Sequence, residues 1–281
     1  MIGFKVKNKR KKGSFITFLV IMAVIVAVLY NWNYRIQTEE FELQFVNLPE
    51  SFDGYRIAVV SDLHAAKFGE ANADLIAAVR DTKPDMIALT GDVTDAVKQV
   101  PFVLETVRQL VEVAPVYYVA GNHEYKKNGG AKELFAALPE LGVTVMRNDI
   151  LSLEHGGDSI WLVGLDDVNG PYDMESRESV FARLGDGFSL TLVHRNGYLA
   201  ELAGYGTDLV ICGHAHGGLI RLPGTDGLFD HNLTLFPTHT SGDYTEGNTT
   251  MLVSRGLGNH TGIPRIMNPP HLPVVILKRE A

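Results

Sequence analysis

The chain has 281 residues, 46% apolar and 21% charged, a composition too rich in apolar groups for a disordered protein and long enough for one sizeable domain. Its net charge of -8 hides an asymmetry: Lys5, Lys7, Lys9, Arg10, Lys11, Lys12 and Arg35 face no acid in the first 35 residues, while beyond them 18 basic groups face 33 acidic ones, a balance of -15. So acidic a domain lacks the electrostatic footprint of a nucleic-acid binder, and the single cysteine, Cys212, excludes an internal disulfide framework without deciding the compartment.

Between Lys12 and Arg35 run 22 residues without a charge, and roughly 20 apolar residues span a bilayer. Residues 1–12 read as a basic cytoplasmic head and 13–34 as a transmembrane anchor. Six cations before the segment and Arg35, Glu39 and Glu40 after it predict an N-terminus inside and a domain outside the cytoplasm. Tyr30, Trp32 and Tyr34 would form the outer aromatic belt. A cleaved signal peptide would share the head and the apolar centre, but no small-x-small pair follows, so a retained anchor is expected.

Residues 35–51 read as a linker with an outer strand at Phe41–Val46 and a turn at Leu48-Pro49. Short β-branched runs at Arg56–Val60, Met86–Thr90 and Val116–Ala120 alternate with helical stretches at Ala71–Arg80 and Phe102–Val113, the pattern of βαβ units on a sheet covered on both faces. Further strands are expected at Val143–Met146, Ile160–Leu165, Leu190–Val193, Leu209–Ile211, Met251–Ser254 and Val274–Leu277, with helices around Ser176–Leu184 and Gly197–Ala203. From Gly213 to Gly262 the chain is rich in Gly, Thr and Asn, the composition of long loops over a site.

The runs end in chemistry. Ser61-Asp62-Leu63-His64 closes the first, Thr90-Gly91-Asp92 the second and Gly121-Asn122-His123-Glu124 the third, so Asp62, Asp92 and Asn122 recur every 30 residues, about one βαβ unit. Two later runs end in Val193-His194 and in Gly213-His214-Ala215-His216. Each motif alone is an ordinary turn or a core histidine. In this order, at successive strand termini where open α/β sheets place their ligands, they put seven oxygen or nitrogen donors on one rim and point to a metal site. Mixed carboxylate, amide and imidazole donors without thiolates suit Mn, Fe or Zn and argue against a structural zinc. No Gly-x-Gly-x-x-Gly or P-loop indicates a nucleotide cofactor.

This ordered set resembles the calcineurin-like metallophosphoesterase superfamily over nearly all of residues 52–281. Gly213-His-Ala-His-Gly-Gly218, Leu219-Ile-Arg-Leu-Pro223 and Val253-Ser-Arg-Gly-Leu-Gly258 look like its membrane-associated bacterial branch. The departures are Arg195-Asn196-Gly197 after His194, where Asn-Pro or Arg-Pro is common, and Ala65-Ala66 after His64, where Leu-Gly is common; neither removes a donor. The resemblance implies a four-layer α/β/β/α sandwich over 52–281. It also implies one divalent ion held by Asp62, His64, Asp92 and His216 and a second held by Asp92, Asn122, His194 and His214, with Asp92 bridging. Two such ions clamp phosphoryl oxygens and acidify a shared water.

By the same resemblance His123 is the general acid or electrostatic stabiliser, while Glu124 and Asp95 are expected to support ligands or a turn. Arg195, Arg221, Arg255 and His260 are candidate phosphate or substrate contacts; Cys212 reads as core; His155, His231, His239 and His271 belong to no motif.

The expected function is a single-pass membrane phosphoesterase acting on a phosphodiester or pyrophosphate, with a lipid-linked or envelope-associated phosphate ester as substrate. Relatives in the branch that cleave UDP-2,3-diacylglucosamine supply an alternative, a pyrophosphatase of lipid precursors. That reaction is cytoplasmic, so it requires the opposite topology. A non-catalytic scaffold on the same fold is the alternative of another class; such proteins usually lose ligands or the acid histidine, and all eight positions are present here.

Overall fold

The computed structural model describes residues 9–222, 224–230 and 234–280, and side chains from residue 14 onward; most of the basic head, and His231, lie outside them. Helix α1, Lys9–Tyr34, contains a 21-residue stretch, Ser14–Tyr34, whose most apolar 18 residues have a mean hydropathy of 2.4 and are not buried in the molecule. Phe15, Phe18, Leu19, Ile21 and Val24 all point outward. An apolar surface on every side is the pattern of a helix whose surroundings are apolar too.

The domain is built on two six-stranded sheets. The first contains β1 (Gln37–Phe45), β2 (Arg56–Val60), β3 (Met86–Thr90), β4 (Val116–Val119), β5 (Thr144–Val145) and β12 (His271–Arg279), in the order β1-β12-β2-β3-β4-β5. The second contains β6 (Asp149–His155), β7 (Asp158–Gly164), β8 (Ser189–Leu192), β9 (Leu209–Cys212), β10 (Gly242–Glu246) and β11 (Thr249–Val253), in the order β10-β11-β9-β8-β7-β6.

Alternation along the strands decides the layers. In β2 and β3, Ala58, Val60, Ile87 and Leu89 pack under α2 (Ala73–Asp81) and α3 (Val100–Val111), whose Leu75, Val79, Val103 and Val107 they meet. Ile57, Val59, Met86 and Ala88 face the other way, against Leu162, Leu190, Leu209 and Ile211 of the second sheet. On that sheet's far face Val163, Val210 and Val253 meet Val180 and Phe181 of α5 (Arg177–Ala182) and Leu199 and Leu202 of α6 (Leu199–Tyr205). The result is the expected helix–sheet–sheet–helix sandwich. Burial on both faces explains why the central strands read as unbroken apolar runs.

Three elements do not show in the sequence pattern: β6, β10 and α4 (Ala131–Ala137). β6 and β10 are the edges of the second sheet, and their largely polar residues form hairpins with β7 and β11. The outer strand starts earlier than Phe41, because Gln37–Glu40 pair in parallel with His271–Val274. Helix α2 starts later than Ala71, because Ala71 and Asn72 stand in the left-handed region, at φ 49° and 61°.

Candidate metal centre

All seven donors read from the strand ends come together. The ends of β2, β3 and β4 present Asp62, His64, Asp92 and Asn122 from one sheet, and the ends of β8 and β9 present His194, His214 and His216 from the other, so the site straddles the crevice between the sheets' carboxyl ends. Ligand atoms of Asp62, His64 and Asp92 lie within 4.8 Å of one another, and so do those of Asp92, His194 and His214. His216 Nε2 joins the first group, 3.3 Å from His64 Nε2 and 3.6 Å from Asp62 Oδ1. Asn122 Oδ1 joins the second, 3.1 Å from His194 Nε2. Asp92 Oδ2, 3.8 Å from His64 Nε2 and 3.3 Å from His194 Nε2, belongs to both.

The backbone carries strain here. Asp62, His64, Asp92, His214 and His216 all have positive φ, between 47° and 69°. Non-glycine residues in that region cost of order 1 kcal/mol or more each and cluster at functional sites, where the strain aims a side chain. Two glycines leave room for the carboxylates: a Cβ on Gly121 would stand 2.3 Å from Asp92 Oδ1, and one on Gly213 would stand 2.2 Å from Asp62 Oδ2.

The imidazoles are held from behind. His194 Nδ1 lies 2.9 Å from the Thr90 carbonyl and His64 Nδ1 2.8 Å from Asp95 Oδ1, so each donates there and turns its Nε2 lone pair inward. His194 Nε2 then faces Asn122 Oδ1 and Asp92 Oδ2, both acceptors. His214 Nδ1 also stands 3.1 Å from that Nε2, so oxygen and imidazole-nitrogen donors from both sheets converge on one point, a set that fits divalent ions once the imidazoles are neutral.

The electrostatics agree. Burial opposes a charge on His194, yet the Asp92 carboxylate overrides it and pushes the imidazole up to about 10, so with protons alone the cavity holds one there. Burial likewise opposes ionisation of Asp92, but His194 and His64 hold its carboxyl well below the usual range. Asp62 is pushed up by burial. His216 is driven well below an ordinary histidine by burial and by His64 and Arg265, which leaves it neutral, the form that ligates a metal.

Glu124 and Asp95 take supporting positions. Glu124 accepts from the backbone N–H groups of Gly121 (2.7 Å), Asp92 (2.9 Å), Val93 (2.7 Å) and Thr94 (3.3 Å), tying the turns after β3 and β4 together. Asp95 Oδ1 meets both His64 and His123 Nδ1, and although burial opposes its ionisation, these two bonds hold its carboxyl far down. His123 N donates to Asp92 Oδ1 at 2.8 Å, and its ring Nε2 lies 3.9 Å from Asp92 Oδ2. That same Nε2 accepts from Lys126 Nζ at 2.6 Å. Proton donation from His123 Nε2 therefore requires Lys126 to swing away.

Of the four other candidates, one reaches the site. His260 lines the small cavity among Asp92, Asn122, His123, His214 and His216, its ring centroid 4.8 Å from that of His64 and 4.5 Å from that of His123. Arg195 is held by both oxygens of Asp167, at 2.7 and 3.0 Å, and Arg221 by the carbonyls of Gly217 and Thr225. Arg255 bonds Glu39, Gln37 and Ser241. Cys212 is buried in β9, and burial pushes its thiol up. Lys126, two residues beyond Glu124, and Arg265, whose Nη2 lies 3.5 Å from His216 Nδ1, carry no motif that would single them out.

This constellation on a helix–sheet–sheet–helix sandwich is that of a binuclear phosphoesterase, and the chain belongs to the calcineurin-like phosphoesterases, whose family model matches residues 55–218. It is similar, at 32% identity over 261 residues, to the metallophosphoesterase YkuE of Bacillus subtilis, covering 87% of this chain and 86% of that one. The phosphodiesterase YaeI of Escherichia coli is 27% identical over 60% of this chain and 63% of its own. A transmembrane protein with a metallophosphoesterase domain from Danio rerio is 26% identical over 73% of this chain and 51% of its own. The protein is accordingly a metal-dependent phosphoric ester hydrolase of the YkuE and YaeI branch, in a family that uses a binuclear metal centre.

Proposed function

We propose that this protein is a single-pass membrane phosphoesterase that holds two divalent ions, one on Asp62, His64, Asp92 and His216 and one on Asp92, Asn122, His194 and His214, and hydrolyses a phosphodiester or pyrophosphate at the membrane surface. The observation that carries the reading is Asp92 Oδ2, which faces an imidazole of each donor group from one atom. Bound there, the two ions would supply Lewis acidity toward the phosphoryl oxygens and an acidified water as nucleophile. The chain's own residues orient and exclude: Thr90 and Asp95 set the tautomers of His194 and His64, Glu124 holds the Asp92 amide, and His123 transfers a proton at Nε2 to the leaving oxygen once Lys126 withdraws. A positioned histidine contributes about a hundred- to ten-thousandfold in such a step.

The membrane half of the reading is supported by α1 and by the transmembrane relative, and the six cations ahead of the span favour residues 1–12 in the cytoplasm and the domain outside. On this reading the anchor runs over 13–34, the linker and outer strand over 35–51 and the catalytic unit over 52–281, with the outer strand joined to the first sheet of that unit through β12. Metal-loaded full-length protein assayed on p-nitrophenyl phosphate, bis-p-nitrophenyl phosphate and a nucleotide sugar tests the chemistry. Turnover of the bis-ester above the monoester is expected. A preference for the nucleotide sugar would move the assignment to a lipid-precursor pyrophosphatase. No turnover with Mn, Fe or Zn, at full donor occupancy, would leave a metal-binding scaffold.

A further inference from the structure

The last turns of α1 do not stand clear of the domain. Asn33 Oδ1 accepts from Arg265 N at 2.8 Å and Asn33 Nδ2 donates to Arg265 O at 3.1 Å, a two-bond clasp on one residue's backbone. The Arg265 side chain is buried, and its Nη2 donates to the carbonyls of Arg255 and Gly258, so the clasp ties the helix end to the loop that carries His260. Between helix and loop lies a groove of about 560 Å³. Its apolar lining comes from Val26 and Leu29 of α1, from Ala66 and Phe68 just after His64, and from Leu257 and Pro264. Asn259, next to His260, lines it as well, so a single loop separates the groove from the metal donors.

We infer that this groove receives the alkyl chain of an amphiphilic phosphate ester whose phosphate reaches the metal donors, so that α1 is a wall of the substrate site as well as a span. The inference deepens the phosphoesterase reading and rests on it. Three features favour an alkyl chain as the occupant. The helix wall is part of the 21-residue apolar stretch, so the groove is continuous with a surface facing hydrocarbon, and a chain slides in from the bilayer without crossing water. Tyr30 and Tyr34 stand exposed at this end of the helix, the place of side chains that sit at headgroup level, which sets the groove at the depth where chain meets phosphate. Lys67, an exposed cation among the lining residues with its Nζ 5.5 Å from the centre of the Phe102 ring, brings a positive charge to this side of the groove that suits an anionic headgroup. Burying an alkyl chain is favourable against water but gains almost nothing against lipid. The groove therefore selects by orientation, holding the phosphate over the donors, rather than by raw affinity.

The test uses the full chain, Mn-loaded, in phosphatidylcholine nanodiscs, with Leu29→Trp filling the groove from the helix side and Val26→Trp as a second filling variant if the first fails to fold. Two esters share one leaving group: bis-p-nitrophenyl phosphate, without a chain, and dodecyl p-nitrophenyl phosphate. The filled variant should lower the ratio of kcat/KM for the dodecyl ester to that for the bis-ester by about tenfold or more, equivalent to about 1.4 kcal/mol. In parallel, dodecyl phosphate bearing a terminal diazirine, photolysed with metal-free protein, should label peptides around residues 26–34 and 257–264 in the wild type and much less in the variant. An unchanged ratio, or labelling absent from these peptides or undiminished by the substitution, overturns the inference. Labelling as expected with neither ester hydrolysed would keep the alkyl site and sink the phosphoesterase reading instead.

Discussion

Glu124 is buried with one carboxylate oxygen on Gly121 N and Asp92 N and the other on Val93 N and Thr94 N. Burial and the nearby Asp92 push its carboxyl up to about 7, against the amides that favour its anion. Four donors and no acceptor around the group match a carboxylate, which only accepts. Glu124→Gln keeps the shape and one oxygen but turns the other into an NH₂ facing two N–H groups. Two hydrogen bonds to a charged acceptor, at roughly 1.5–3 kcal/mol each, are lost, and the lower cost of burying an amide than a carboxylate returns part of that. The net expectation is a loss of about 2–4 kcal/mol, or a Tm lower by about 5–15 °C for a domain of this size. Urea unfolding of the full chain in detergent, followed by tryptophan fluorescence, reads the stability; hydrogen exchange reads whether residues 91–94 and 121–124 loosen. Because the Asp92 backbone is one of the four clients, metal content should fall with stability. Glu124→Ala, which leaves all four donors without the carboxylate, should be worse than the glutamine variant. A Glu124→Gln protein with wild-type stability and unchanged exchange in both turns would refute the role of Glu124 as the tie between β3 and β4.

Asp92→Asn should lose at least one metal and nearly all activity, whereas His123→Ala should keep both metals by elemental analysis and lose about a hundredfold or more with a poor leaving group but less with p-nitrophenolate. An equal loss with both leaving groups would make His123 an electrostatic stabiliser, and loss of metal would make it a ligand. Glu39 is held down to about 2, chiefly by its bond to His271 and also by Arg255, against an ordinary 4.5. Its stabilisation is complete above about pH 4.5 and disappears as pH falls toward 2; with 40% of the side chain exposed it is worth about 1 kcal/mol. Glu39→Gln should thus unfold about 1 kcal/mol more easily at pH 7 and no more easily than wild type at pH 2, a difference that acid titration of the unfolding midpoint measures. A reporter fused after Ala281 should be active only outside the cytoplasm; cytoplasmic activity would reverse the topology, and a soluble domain in the medium or periplasm would mark cleavage of the segment.

The central strands, the placement of Asp62, Asp92 and Asn122 at their ends, and an apolar span before the domain were legible in the residues alone, while the order of strands within each sheet was not. All three are local properties: an unbroken apolar run reports burial on both faces, and a donor immediately after such a run must emerge at the strand's carboxyl end. Charge pairing across the fold was not legible. Arg195 and Arg255 look alike in sequence as candidate phosphate contacts, yet Asp167 takes one and Glu39, 216 residues away, takes the other, because the β1–β12 pairing brings residue 39 beside the end of β11. Glu124 looks like one more residue of a turn until the β3–β4 register sets four amides around it. Lys126, which carries no signal in the sequence, and His260, a candidate contact without a motif of its own, come together at the site only because loops from different strand ends close over one crevice. The clasp of Asn33 on Arg265 spans 232 residues, and a contact of that kind depends on how the layers stack rather than on any pattern along the chain.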